Sequence, residues 1–160
     1  MAVAEIIGAA IGVLLLVVVA YILVGSTLST AELVVTAQND LTLNHEQRLR
    51  TDLEITDKKI EGSAINFTVH NSGSEIITDF AHTTVLSYDG VLPGYTGYIY
   101  QKDVIPSGGY WSITRFENDY LHPKSLDPGE SMRCMAAFSG DTPLWFQITT
   151  ANGVSASAYL

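Results

Sequence analysis

The sequence predicts a long N-terminal transmembrane α-helix followed by an all-β antiparallel sandwich. Three observations predict it. Residues Ile6 to Ala31 carry no charged side chain and are dense in Ile, Leu, Val, Ala and Gly. From Leu53 onward, apolar residues recur at every second position, the period of a strand with one buried face. Turn signals separate those runs about every ten residues, the spacing of short antiparallel strands.

The helix comes first. A 26-residue helix rises roughly 39 Å, and a bilayer core needs about 30 Å. The span therefore crosses a membrane, or sits in the apolar core of a helical filament. A cleaved secretory signal fits less well: no Lys or Arg precedes the run, the first being Arg48, and such signals have a basic start and a shorter apolar core. No Gly or Pro follows Gly25 until well beyond residue 40, so the helix is expected to continue to about residue 40 as a stalk. Ala4, Gly8 and Gly12 stand four apart, a small-residue face on which another helix can pack closely; glycine is also simply common in membrane helices. The expected domains are a transmembrane and stalk helix, residues 1–44, and an extracytoplasmic domain, residues 45–160. With no flanking Lys or Arg to orient the span, the outside placement rests on the β-rich, acidic content of the larger part.

The strands follow. Leu53 and Ile55 alternate with polar residues, as do Ile65, Phe67 and Val69, then Leu144, Phe146 and Ile148, then Val154, Ala156 and Ala158. Turn signals lie at Asp57-Lys58-Lys59, Asn71-Ser72-Gly73-Ser74, Asp89-Gly90, Pro93-Gly94, Pro106-Ser107-Gly108-Gly109, Asp127-Pro128-Gly129-Glu130 and Asn152-Gly153. Asn-Gly between two alternating runs is a strong hairpin signal. Tyr95, Tyr98, Tyr100, Tyr110 and Trp111 cluster in a segment without clean alternation, expected as a long loop or a ragged edge hairpin. Tyr and Trp often anchor protein contacts where they are exposed, so these five are the candidate partner-contact residues, with membership of the core as the other reading.

Charge and chemistry narrow the function. The chain has 17 acidic and 8 basic residues, a net charge of −9. Nucleic acid is excluded as a partner, since phosphate binding needs a basic surface. The single cysteine, Cys134, allows no intrachain disulfide and reads as a buried strand residue. There is no Gly-x-Ser-x-Gly elbow, Gly-rich phosphate loop or His-Glu-x-x-His motif. The histidines His45, His70, His82 and His122 are scattered; a metal shared by His70 and His82 lacks a carboxylate at useful spacing. Acid pairs such as Asp52 with Glu54, or Glu117 with Asp119, read as solvated strand faces. No catalytic residue, cofactor or metal is expected. Asn66-Phe67-Thr68 fits the glycosylation pattern, and Asn66 faces outward if Phe67 faces the core.

Several of these stretches resemble a known group. The Arg48-Leu49-Arg50-Thr51-Asp52-Leu53-Glu54-Ile55 entry into the first strand, the run Ile65 to Ser74, the Leu126 to Glu130 turn and the closing Ile148 to Val154, behind an apolar helix, are similar to archaellum accessory proteins F and G. These are stator-type relatives of the archaellins. The resemblance implies an immunoglobulin-like sandwich outside the membrane. It also implies binding to the surface-layer lattice of the envelope, or assembly into a short anchoring filament. Archaellins and type IV pilin-like filament subunits share the layout and are the alternative. Archaellins are made with a leader cut after a basic residue and Gly; nothing of that kind precedes Met1, which reads as an unprocessed start. Glu5 matches the acidic position of mature type IV pilins, where a neighbour's N-terminal amine would offset its desolvation; it also fits a place at the lipid headgroups. The expected function is thus structural and non-enzymatic. The expected partners are membrane lipid or neighbouring N-terminal helices, an envelope protein or archaellum filament subunits, and further copies of the chain. A membrane-anchored ligand-binding module using Tyr95 to Trp111 is the alternative of a different class.

Overall fold

The structure is a computed structural model that describes residues 2–91 and 94–160. Pro93, one of the expected turn residues, lies outside the described residues. The chain divides into two compact units, residues 1–43 and 44–160.

The first unit is helical. Helix α1 runs Ala2–Arg50, and its last seven residues belong to the second unit. It is the one helix among the described residues that is long and apolar enough to cross a membrane. Its side chains are exposed along the first unit. The hydroxyls of Thr27 and Thr30 donate to the carbonyls of Leu23 and Ser26, at 2.7 and 2.9 Å, and those of Thr36 and Thr42 do likewise four residues back. Each hydroxyl is satisfied within the helix, which lets a polar residue follow an apolar run without needing water. The helix outruns the expected end near residue 40 by about ten residues. The apolar stripe fades there, but His45-Glu46-Gln47-Arg48-Leu49-Arg50 contains no breaker and mostly good helix formers.

The second unit is the sandwich. Its strands are β1 (Leu53–Glu61), β2 (Ala64–Asn71), β3 (Thr84–Tyr88), β4 (Tyr95–Tyr100), β5 (Tyr110–Glu117), β6 (Ser131–Ala137), β7 (Trp145–Thr149) and β8 (Ser155–Tyr159). Their order is β1-β2-β6-β5-β4-β3-β7-β8. β1, β2, β6 and β5 make one layer, and β4, β3, β7 and β8 the other. The layers join where β4 meets β5 through two residue pairs, Ile99 with Tyr110 and Tyr100 with Trp111. Among the described residues this is the single parallel pairing; the other ladders are antiparallel. β1 and β8, the two ends of the order, touch without a ladder between them.

Alternation builds the core as expected. β2 buries Ile65, Phe67 and Val69; β6 buries Met132, Cys134 and Ala136; β7 buries Phe146 and Ile148. The rings of Phe67 and Phe146 meet across the layers at 4.9 Å, tilted by 52°, a favoured aromatic geometry.

Three details depart from expectation. Leu144, the first member of its alternating run, lies before β7 and is exposed. Asp57-Lys58-Lys59 is not a turn but the middle of β1. The turn falls at Gly62-Ser63, where Gly62 adopts φ 61°, a conformation that two-residue hairpins demand and that side chains resist. The charges instead decorate an outermost strand, a common guard against unwanted pairing. The aromatic segment holds two strands rather than a loop. Its pattern is obscured because β4 buries only Tyr98 and pairs so briefly with β5.

Candidate functional site

Within the second unit, residues 44–160, the end of α1 joins the sandwich. The joint is well built. The helix ends at Arg50, and Thr51 caps it: the Thr51 amide and hydroxyl donate to the Gln47 carbonyl at 3.0 and 2.7 Å. The Arg50 carbonyl then accepts from the amides of Ser74 (2.7 Å) and Glu75 (3.2 Å). The Asp52 carbonyl accepts from Ser72 and Gly73, both at 3.1 Å. Carbonyls that a helix terminus leaves unpaired are thus taken up by the loop after β2.

That loop is itself held from inside. Asn71 is fully buried; its Nδ2 donates to the carbonyls of Glu75 (2.8 Å) and Leu126 (3.0 Å), and its Oδ1 accepts from Gly73 N. From the far side, Asn152 Nδ2 donates to the Thr51 hydroxyl at 2.7 Å. Arg50 adds ion pairs with Glu46 (3.5 Å) and Glu75 (3.8 Å) at the surface, where such pairs contribute little. A Cβ on Gly73 would collide with Asp52 N and the Arg50 carbonyl oxygen, so the backbones touch here as only glycine permits.

The expected site residues are distributed differently. Ala4, Glu5, Gly8 and Gly12 lie on exposed helix surface, and a Cβ added at Gly8 or Gly12 would meet nothing within 4 Å. Of the aromatic five, Trp111 and Tyr98 are core side chains, at 0% and 3% exposure, and cannot touch a partner. Their position is physical: Trp111 stands at the β4–β5 joint, 4.9 Å from the Tyr100 ring, and the Tyr98 hydroxyl meets Ser87 Oγ at 2.8 Å. Tyr100 and Tyr110 are half-buried, while Tyr95 is exposed and stacks on Tyr88 at 4.7 Å. Burial raises the pKa of Tyr98 above its ordinary value, against a smaller opposing effect of Ser87.

Asn66 lies within β2, half-buried, its amide donating to Glu61 Oε2 at 3.1 Å. His70 meets Ser131 and His82 meets Asp79, so the two histidines do not converge. Among the described residues no group of three or more His, Cys, Asp or Glu is placed to hold a metal. Cys134 is buried, and burial pushes its thiol far up from its ordinary range.

Solved structures that share this fold include the following two. One is the archaellum periplasmic stator protein FlaG from Sulfolobus acidocaldarius. It is 21% identical, with a TM-score of 0.50, and the match covers 69% of this chain and 99% of that one. The other is the complex of archaellum periplasmic stator proteins FlaF and FlaG from the same organism, 23% identical, with a TM-score of 0.50, covering 68% of this chain and 87% of that one. No family model matches the chain, and no curated protein is similar to it. The likeness establishes the β-sandwich, and it falls on the group that the sequence resembles.

Sequence reasoning marked the Asn71-Ser72-Gly73-Ser74 turn but not its role. Asn152 is marked as a hairpin residue and Thr51 as part of the entry into β1, but nothing local marks either as part of the joint. Their partners lie 4 and 101 residues away along the chain, and only the folded topology brings all three together.

Proposed function

We propose that this chain is a non-enzymatic component of an archaellum, anchoring the motor or filament to the cell envelope through its sandwich. The observation that carries the reading is the shared fold with two archaellum periplasmic stator structures, over nearly the whole length of one of them. In this reading residues 1–44 hold the membrane as a single span and stalk. Residues 45–160 face outward and grip an envelope protein, or an archaellum subunit as FlaF and FlaG form a complex in the second structure. The work is mechanical. Force along α1 enters the sandwich through its last turn, where the Arg50 and Asp52 carbonyls are held by four amides of one loop. Resistance to torque then rests on packed backbone rather than on side-chain ion pairs.

A second reading is favoured by the open faces at Gly8 and Gly12: polymerisation through the N-terminal helix, as in archaellin or pilin-like filaments, with further copies of the chain as neighbours. Electron microscopy of the purified full-length protein separates the two, since the anchor gives particles in micelles or short assemblies and the filament subunit gives long filaments with a helical core. The test of the function itself is a deletion strain complemented in trans. Loss of swimming with archaella still assembled supports the anchor, because rotation without a fixed support yields no thrust. A fully motile deletion strain removes the archaellum reading and leaves an anchored ligand-binding module as the better account.

A further inference from the structure

Strand β5 has one edge free. It pairs with β6 along its whole length, but its other edge meets β4 only at Tyr110 and Trp111. Beyond them, from Thr114 to Glu117, the backbone makes no hydrogen bond on that side among the described residues. Residues Thr114 to Phe116 of this edge and the segment Thr78 to Ala81 both line a cleft of about 360 Å³. A free strand edge is a row of unpaired donors and acceptors, and an extended segment can add to it.

The cleft has a distinct chemistry. Its lining is aromatic: Phe80 lies 5.7 Å from Phe116 and 6.4 Å from Tyr100. Its rim carries Lys102, Arg115 and Lys124, three of the chain's eight Lys and Arg residues. All three are exposed, and none makes an ion pair among the described residues. By contrast Arg50, Lys59 and Arg133 are each paired with a glutamate. Two carboxylates share the cleft. Asp79 is bound to His82 at 2.7 Å, and Asp103 makes no ion pair among the described residues. Among the lining residues three cations thus stand against two carboxylates, in a chain of net charge −9; a third carboxylate, Asp119, accepts from the Lys124 amide beside them.

We propose that this cleft takes an extended acidic segment of a partner protein, which adds as a strand to the free edge of β5 and sets its carboxylates against Lys102, Arg115 and Lys124. The proposal deepens the reading that the sandwich grips another protein, by naming where and by what chemistry. Strand addition supplies backbone hydrogen bonds; the cations select against neutral and basic segments; the aromatic lining receives the apolar side chains that alternate with the acids.

The test uses full-length protein in nonionic detergent and a fluorescent eight-residue peptide of alternating Glu and Val. Binding should weaken as salt rises, and should fall by about tenfold or more in the K102E/R115E/K124E variant. Those side chains are exposed, so the variant should keep the wild-type circular dichroism. Peptides N-methylated at one of the two alternating sets of amides should lose binding, since only one set faces β5. Equal binding of a Lys-Val peptide, or no loss with either methylated set, overturns strand addition. A uronic-acid oligosaccharide that displaces the peptide while methylation has no effect marks a glycan site and overturns it too, as does absence of peptide binding. Capture of envelope protein by full-length wild type and by the triple variant alike refutes this cleft but leaves the gripping function standing. Peptide binding without any envelope capture does the reverse.

Discussion

Gly73 shows how much one residue can decide. A side chain there would drive into Asp52 N and the Arg50 carbonyl oxygen, two backbone atoms that cannot swing away. Gly73→Ala should therefore destabilise the second unit by about 1–3 kcal/mol, the range for forced overpacking, measured by thermal denaturation. A neutral substitution would mean that the loop after β2 is not locked to the helix end. Tyr98 gives a pH-dependent counterpart. Its folded-state pKa is raised above the ordinary value of 10.0, so the unfolded chain gives up that proton first as pH rises. The stability it contributes is complete below pH 10.0 and is lost as pH climbs through the raised folded value. Tyr98→Phe should cost about 1–3 kcal/mol at neutral pH by stranding the Ser87 hydroxyl, yet flatten the alkaline loss. Parallel pH titrations of wild type and variant read both effects, and an alkaline slope unchanged by the substitution would show that Tyr98 is not its source. Both residues were visible in the sequence only by type. Gly73 reads as one more turn glycine and Tyr98 as either a contact or a core aromatic, because neither close backbone approach nor membership of a core leaves a local pattern.

At the scale of elements, the long-period and short-period signals were legible and the interruptions were not. An uncharged apolar run gave α1, and alternation gave β2, most of β7 and β8. The end of α1 was not legible, since polar helix formers carry it past its apolar stripe. The charged middle of β1 hid a strand because an outer strand needs charge where an inner one needs apolar residues. For α1 itself two substitutions separate insertion from assembly. Leu15→Arg should oppose insertion by about 2.5–3.5 kcal/mol and shift the protein out of the membrane fraction. Gly8→Leu should leave the protein in that fraction and reduce helix–helix cross-linking, because the open face at Gly8 would then carry a bulky side chain. Unchanged cross-linking in Gly8→Leu would remove self-assembly through this face and leave α1 as a lone anchor.

For the whole molecule, the division into two units makes the sandwich a separable body. Residues 44–160 bring their own core, from Leu53 through Ile148, and the helix turn that caps it. Among the described residues, every core residue belongs to this unit. A fragment beginning at Asn44 should fold by itself as a soluble β-protein with a cooperative transition. It should keep Cys134 unreactive to thiol reagents under native conditions, since the thiol is buried and held protonated. A fragment beginning at Asp52 should be less stable, because it lacks the Arg50 carbonyl that accepts from Ser74 and Glu75 and the Thr51 hydroxyl that accepts from Asn152. Circular dichroism and denaturation of the two fragments decide the matter. If the longer one is unfolded or mainly helical, the sandwich does not stand alone. If the two are equally stable, the joint carries no energy of its own, and force on α1 would reach the sandwich through a loose tether instead of a rigid connection.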